Sequence, residues 1–240
     1  MKIFLSGATG ATGRLLAEML LDRGHRLVVV VWSPDRLPKN VSQHEAIEIV
    51  KAPLLDLDPE ELTRLAGSCD AFVSCLGHTL SWRGIFGSPY RLVTEATRRL
   101  CNTAQETPRD RPARYILMSS TGIRNPNEGE HISFAQHLVI QLLRLFLPPH
   151  ADNEKAAAFL RNTVGLGSDT IEWVAVRPDA LVDETKISPY SLHRSPTRSA
   201  IFDSGKTSRI NVATFMADLI DQDDLWHQWK GKMPVIYNKQ

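Results

Sequence analysis

The sequence predicts an α/β fold built on a doubly wound parallel sheet. Three observations carry that prediction. Strand-like and helix-like segments alternate from the first residue, the strand-like segments are unbroken apolar runs, and a glycine-rich turn joins the first strand to the first helix. Alternation of this kind means right-handed crossovers that place helices on both faces of a sheet. Unbroken apolar strands suit a sheet covered on both sides.

Lys2 to Leu5 reads as a short buried strand, Gly7 to Gly13 as a turn, and Ala11 to Arg23 as a helix. That helix places Leu15, Leu16, Met19 and Leu20 on one face, and Gly24 stops it. Leu27 to Trp32 is a β-branched second strand, after which Ser33 is expected to cap a short helix begun by Pro34 and Asp35. Ala46 to Lys51, Asp70 to Cys75, Arg114 to Ser119 and Ile171 to Val176 are the next strands. Between them lie helices at Pro59 to Ala66, Tyr90 to Gln105, His131 to Phe146 and Asn153 to Arg161, the last two on either side of Pro148-Pro149. Ile132 to Leu147 is apolar nearly all round, as expected of a helix buried on more than one side. From Pro178 the rhythm breaks. Ser188 to Ser199 reads as loop, Asn211 to Ile220 as a helix and Pro234 to Tyr237 as a terminal strand. Ligands of such sheets sit outside the carboxyl ends of the strands, so this irregular part is the candidate substrate cap.

The 240 residues suit a single domain, with cap elements mainly within 179–240. A formal net charge of +1 offers no broad field for nucleic acid or an acidic membrane. Cys69, Cys75 and Cys101 form no CxxC pair and suit buried, reduced thiols. With no leader-like apolar run and no long apolar helix, a soluble, cytoplasmic monomer or homodimer is expected. No His, Cys or Asp cluster has metal-ligand spacing, and neither a GxSxG elbow nor a Lys-Ser/Thr phosphate loop is present.

The most specific motif is Ser6-Gly7-Ala8-Thr9-Gly10-Ala11-Thr12-Gly13, a GxxGxxG that follows a strand and opens a helix. In that context Gly7 permits the tight turn, Gly10 lets the backbone approach a pyrophosphate, and Gly13 lets the helix pack closely on the strand. The helix N-terminus then turns free N–H groups toward the phosphates. The expected ligand is a nicotinamide dinucleotide on a Rossmann-type sheet. An NAD site usually carries an acid at the end of the second strand. Trp32-Ser33 stands there instead, so NADP is expected over NAD, with Ser33 and Arg36 or Arg14 as partners for the 2′-phosphate.

These residues resemble the atypical short-chain dehydrogenase/reductases that bind NAD(P)H, the group that includes NmrA-like proteins and the biliverdin reductase B and flavin reductase type. The resemblance extends to Asp56-Leu57, Cys75-Leu76-Gly77, Ser119-Ser120-Thr121 and Trp173 to Pro178. It implies that Asp56-Leu57 lies beside adenine, Cys75-Leu76-Gly77 under the adenosine ribose, and the Arg177-Pro178 pair near the nicotinamide. Ser119 is placed with the cofactor. Ser120 or Thr121 is placed where the family orients a substrate carbonyl, and Lys155 on the helix where it often carries a lysine. The plain alternative is a strand-end Ser/Thr loop and a solvated lysine.

Most of the superfamily uses a Tyr-x-x-x-Lys pair as acid and base. None of Tyr90, Tyr115, Tyr190 and Tyr237 has a lysine four residues on. His131 and His137 are left as groups that face either the site or solvent. Two readings therefore stand. One is an oxidoreductase passing hydride between NADP (or NAD) and a small carbonyl, quinone or flavin held in a cap-covered cleft, with Ser120, Thr121 and Lys155 as its chemical groups. The other is a non-catalytic redox sensor of the NmrA-like kind. A sugar-nucleotide epimerase-like reaction ranks third, because it needs the absent tyrosine.

Overall fold

The computed structural model describes residues 1–77, 90–130, 139 and 148–239. The helix expected over His131 to Phe146, its apolar run, and the two histidines His131 and His137 fall outside the described residues, apart from position 139.

Ten strands and seven α-helices are described: β1 (Lys2–Ser6), α1 (Ala11–Asp22), β2 (Arg26–Val31), α2 (Lys39–Ser42), β3 (Ile47–Lys51), α3 (Pro59–Ala66), β4 (Ala71–Ser74), α4 (Leu92–Glu106), β5 (Ala113–Met118), α5 (Pro148–Phe159), β6 (Ile171–Pro178), β7 (Ala180–Val182), β8 (Tyr190–His193), β9 (Lys206–Ser208), α6 (Arg209–Asp221), α7 (Asp223–Trp229) and β10 (Val235–Asn238). Eight strands form one sheet in the order β3-β2-β1-β4-β5-β6-β10-β8. Its pairs are parallel from β3 to β10, and only β8 runs antiparallel. Beside it, β7 and β9 pair in parallel.

The two faces of the sheet explain the unbroken apolar strands. Ile3 and Leu5 of β1 join Leu27, Val29 and Val31 of β2 in a core with Leu16, Leu20 and Phe215. Phe4, Val28 and Val30 point the other way, into a core with Leu62, Leu100 and Ala157. Successive strand residues face opposite sides, so covering both sides requires apolar side chains at every position. α4 is tied to α5 by Asp152, whose carboxylate accepts from Val93 N and Thr94 N at 2.8 and 3.0 Å.

Three local expectations are corrected. Pro148 and Pro149 are helical in α5 rather than a break. The Ser33 hydroxyl makes no cap bond to the 3₁₀ turn Pro34–Arg36. Within Ser188 to Ser199 lies β8, where Tyr190 and Leu192 pack on the core and Ser191 and His193 alternate with them. A four-residue edge strand carries too short an alternation to stand out from its polar flanks. α7 was not anticipated. It buries Trp226, whose Nε1 donates to Glu172 at 2.6 Å and whose ring lies 5.1 Å under the Arg114 guanidinium.

Arg177, at the end of β6, is 0% exposed. Its Nε donates to Met233 O at 2.7 Å, its Nη1 to Ile123 O at 3.0 Å and its Nη2 to Arg194 O at 2.9 Å. Nη2 also meets Glu130 Oε1 at 2.7 Å, and Glu130 Oε2 accepts from Asn125 N. Removing one partner of such a pair strands the other charge away from water. Arg177→Met is therefore expected to cost about 3–5 kcal/mol, read as a lower midpoint in urea unfolding. A loss under 1 kcal/mol would refute this account.

Candidate functional site

The glycine turn begins where β1 ends. Gly7 has φ +80°, a conformation open to glycine, and a β-carbon there would lie 2.5 Å from the Cys75 carbonyl carbon. A β-carbon on Gly13 would lie 2.1 Å from Gly7 O. The first turn of α1 is thereby pressed onto the end of β1, and the end of β4 onto Gly7. Gly10 precedes α1, and no side chain caps that helix terminus. Its leading N–H groups are left to a ligand, and no acidic side chain stands in the first turn to compete with a phosphate.

Outside this turn lies a cleft of about 600 Å³. Gly7, Thr9, Trp32, Asp56 and Leu76 line it, together with Val30, Val31, Ala52, Pro53, Leu54, Leu55 and Leu92. Trp32 is 72% exposed there. The turn and the cleft thus gather residues expected at the phosphate and adenosine ends of a dinucleotide. Leu57 and Cys75 are buried in the core instead, and burial pushes the Cys75 thiol up to about 12. Gly77 is exposed, Arg36 is exposed in its 3₁₀ turn, and Ser33 is half-buried beside Trp32. The segment Ala52-Pro53-Leu54-Leu55 was missed. Its signal is the Pro-Leu-Leu run immediately before Asp56.

A second set of side chains follows β5 and β6, at the same carboxyl edge. Asp179 Oδ1 accepts from Thr121 Oγ1 and Ala180 N, both at 3.0 Å, and Oδ2 accepts from Gly205 N at 2.9 Å. Thr121 is thereby committed to Asp179. Ser120 Oγ accepts from Gly122 N at 3.2 Å. Ser119 Oγ is buried and has no hydrogen-bond partner among the described residues. Pro178 is buried, its carbonyl accepting from Thr121 N. The Arg177 guanidinium is spent on protein carbonyls and Glu130, so of the Arg-Pro pair only backbone and proline are left to face a ligand. Lys155 is exposed on α5.

No low-pKa tyrosine replaces the missing pair among those with a resolved shift. Burial pushes Tyr115, Tyr190 and Tyr237 up, Tyr190 to about 12. One titratable group near the serines went unnoticed in the sequence. His150, on the first turn of α5, faces Gly122. A β-carbon on Gly122 would lie 3.3 Å from His150 Cε1 and 3.6 Å from Ser120 Oγ. Nothing in the spacing around His150 marks it, because the contact joins two separate elements.

Gly13→Ala is expected to force the turn open, weakening NADPH binding at least tenfold and costing about 1–3 kcal/mol of stability. Gly167→Ala, whose β-carbon would meet nothing within 4 Å, is expected to leave both unchanged. Calorimetric titration and thermal melts check both variants, and equal affinities would contradict the packing described for Gly13.

Comparison with known proteins agrees with this geometry. The NAD(P)H-binding family matches residues 7–223. An uncharacterized chloroplastic protein of Arabidopsis thaliana is 24% identical over 183 residues, 76% of this chain. The chain spans 60% of the length of that curated relative. A short-chain dehydrogenase/reductase from Veillonella parvula, solved in complex with NADP, superimposes with a TM-score of 0.68 at 14% identity, covering 99% of this chain and 94% of that one. ChuY, an anaerobillin reductase from Escherichia coli O157:H7, superimposes with a TM-score of 0.68 at 15% identity, covering 100% and 98%. Such identities establish the shared Rossmann fold. With its glycine turn matched from Gly7 onward, the chain belongs to the NAD(P)H-binding family.

Proposed function

We propose that the chain is an NADPH-preferring reductase acting on a small carbonyl, quinone or flavin. The observation that carries this reading is the Ser119 hydroxyl, buried at the carboxyl end of β5 without a partner among the described residues. A buried hydroxyl left unpaired at the edge of the sheet where such folds take their ligands is a group that a ligand oxygen can satisfy. Thr121 beside it donates to Asp179 and Ser120 accepts from Gly122 N, whereas Ser119 engages no group among the described residues, so Ser119 is the hydroxyl we assign to a ribose or an acceptor oxygen. When bound, a reduced nicotinamide supplies the hydride. The chain's own work is to position and to exclude water.

At the other end of the site, the exposed Trp32 indole is a flat platform for the adenosine. The end of β2 carries no carboxylate to repel a 2′-phosphate, and Ser33 with Arg36, or Arg14, is its proposed partner. Residues 1–240 are read as one dinucleotide-binding unit, with the elements beyond 179 covering the acceptor. Among the described residues no helix is long and apolar enough to cross a membrane.

Titration with NADPH and NADH, followed by quenching of tryptophan fluorescence, tests the cofactor side. NADPH is expected to bind at least tenfold tighter, and Arg36→Ala to narrow that gap by about tenfold, the weight of one hydrogen bond to a charged group. Equal affinities would remove the NADP preference. An acceptor panel with NADPH tests the rest. Ser119→Ala is expected to lower kcat/KM about tenfold through the lost hydrogen bond. A protein that binds NADPH and reduces none of the panel would instead be a cofactor-reading regulatory protein.

A further inference from the structure

Reduction of a carbonyl needs a proton as well as a hydride, and the usual tyrosine–lysine pair is absent from this sequence. We infer that His150 supplies that proton, a proposal that rests on the reductase reading above. The imidazole lies against Gly122 in the loop that follows β5. A β-carbon on Gly122 would be 3.3 Å from its Cε1, 3.8 Å from its Nδ1 and 3.6 Å from Ser120 Oγ. The ring and the serine loop therefore meet at one position on the carboxyl edge of the sheet, where Rossmann-type sheets take their ligands.

The other groups near this loop are poorly suited to the role. The Asp179 carboxylate receives three donors from the protein. Lys155 is exposed, and the Cys75 thiol is buried and stays protonated. Serine and threonine hydroxyls orient an oxygen but are weak acids. A histidine ordinarily titrates near 6.5, which suits it to give and regain a proton close to neutrality. In balance, the acceptor carbon gains a hydride from the reduced nicotinamide, and its oxygen gains a proton from the imidazolium. The neutral imidazole then regains one from water.

The test uses the full chain with His150→Gln and His150→Ala. With NADPH and a carbonyl acceptor, both variants are expected to lose roughly 100-fold or more in kcat, with NADPH affinity unchanged within threefold. Added imidazole should restore at least tenfold of the rate to His150→Ala and leave the wild-type protein unaffected. Retained kcat, or a lost kcat that imidazole does not restore, would overturn the proposal. A second readout needs no turnover. In protein labelled at histidine ¹³Cε1, the resonance that disappears in His150→Gln should shift when NADPH is added, while that of exposed His227 on α7 stays in place. If the wild-type protein reduced no acceptor, the reductase reading would fail on its own evidence. An unmoved His150 resonance would then overturn the placement of this ring at the site.

Discussion

The buried Arg177 guanidinium is the point on which the cleft side of this molecule depends. It holds the loop after β5 through Ile123 and Glu130, the end of β8 through Arg194, and the approach to β10 through Met233. A charge placed where no water reaches is costly, and it is tolerated here because three carbonyls and a carboxylate replace its hydration. The same residue lies at the end of β6, so segments far apart in the chain are fastened to that strand. Asp179, two residues on, continues the work with Thr121, Ala180 and Gly205. A hydrophobic core alone is non-directional. It would not set the relative position of these loops.

The sheet beneath is held differently. Apolar side chains leave β1 and β2 toward both faces, into one core with α1 and α6 and another with α3, α4 and α5. That double covering leaves ligand access at the strand ends. The glycine turn exploits this. Gly7 and Gly13 have no room for a β-carbon, so strand and helix come within backbone contact and the helix terminus faces outward without a side-chain cap. The closeness that excludes a methyl group also fixes the direction of the uncapped N–H groups of α1.

Three hydroxyls in succession illustrate how fine the division of labour is. Ser119, Ser120 and Thr121 are chemically almost equivalent, yet one lacks a partner among the described residues, one accepts from Gly122 N and one is donated to Asp179. A resemblance pointing to Ser120 or Thr121 as the orienting group had no means of separating them, since Thr121 differs from Ser120 by meeting a carboxylate 58 residues away.

The fold class, the alternation of strands and helices in the N-terminal half, the glycine turn between β1 and α1 and the buried thiols were legible in the residues, because each depends on local spacing. A glycine pattern between a strand and a helix, or an unbroken apolar run, carries its consequence within about ten residues. β8 and α7 were not legible: four half-buried residues and seven mixed ones acquire their meaning only beside β10 and Arg114. The resemblance places the Arg177-Pro178 pair near the nicotinamide, but it gives no sign that the Arg177 guanidinium is engaged within the protein. Its partners lie 17 to 56 residues away, and no local pattern announces them. His150 escaped notice for the same reason, since only the meeting of α5 with the loop after β5 brings it against Gly122 and Ser120. Local periodicity determined the elements and the cofactor class. Which side chains are free to act on a ligand was decided by tertiary packing, because a polar atom's availability depends on every partner that reaches it.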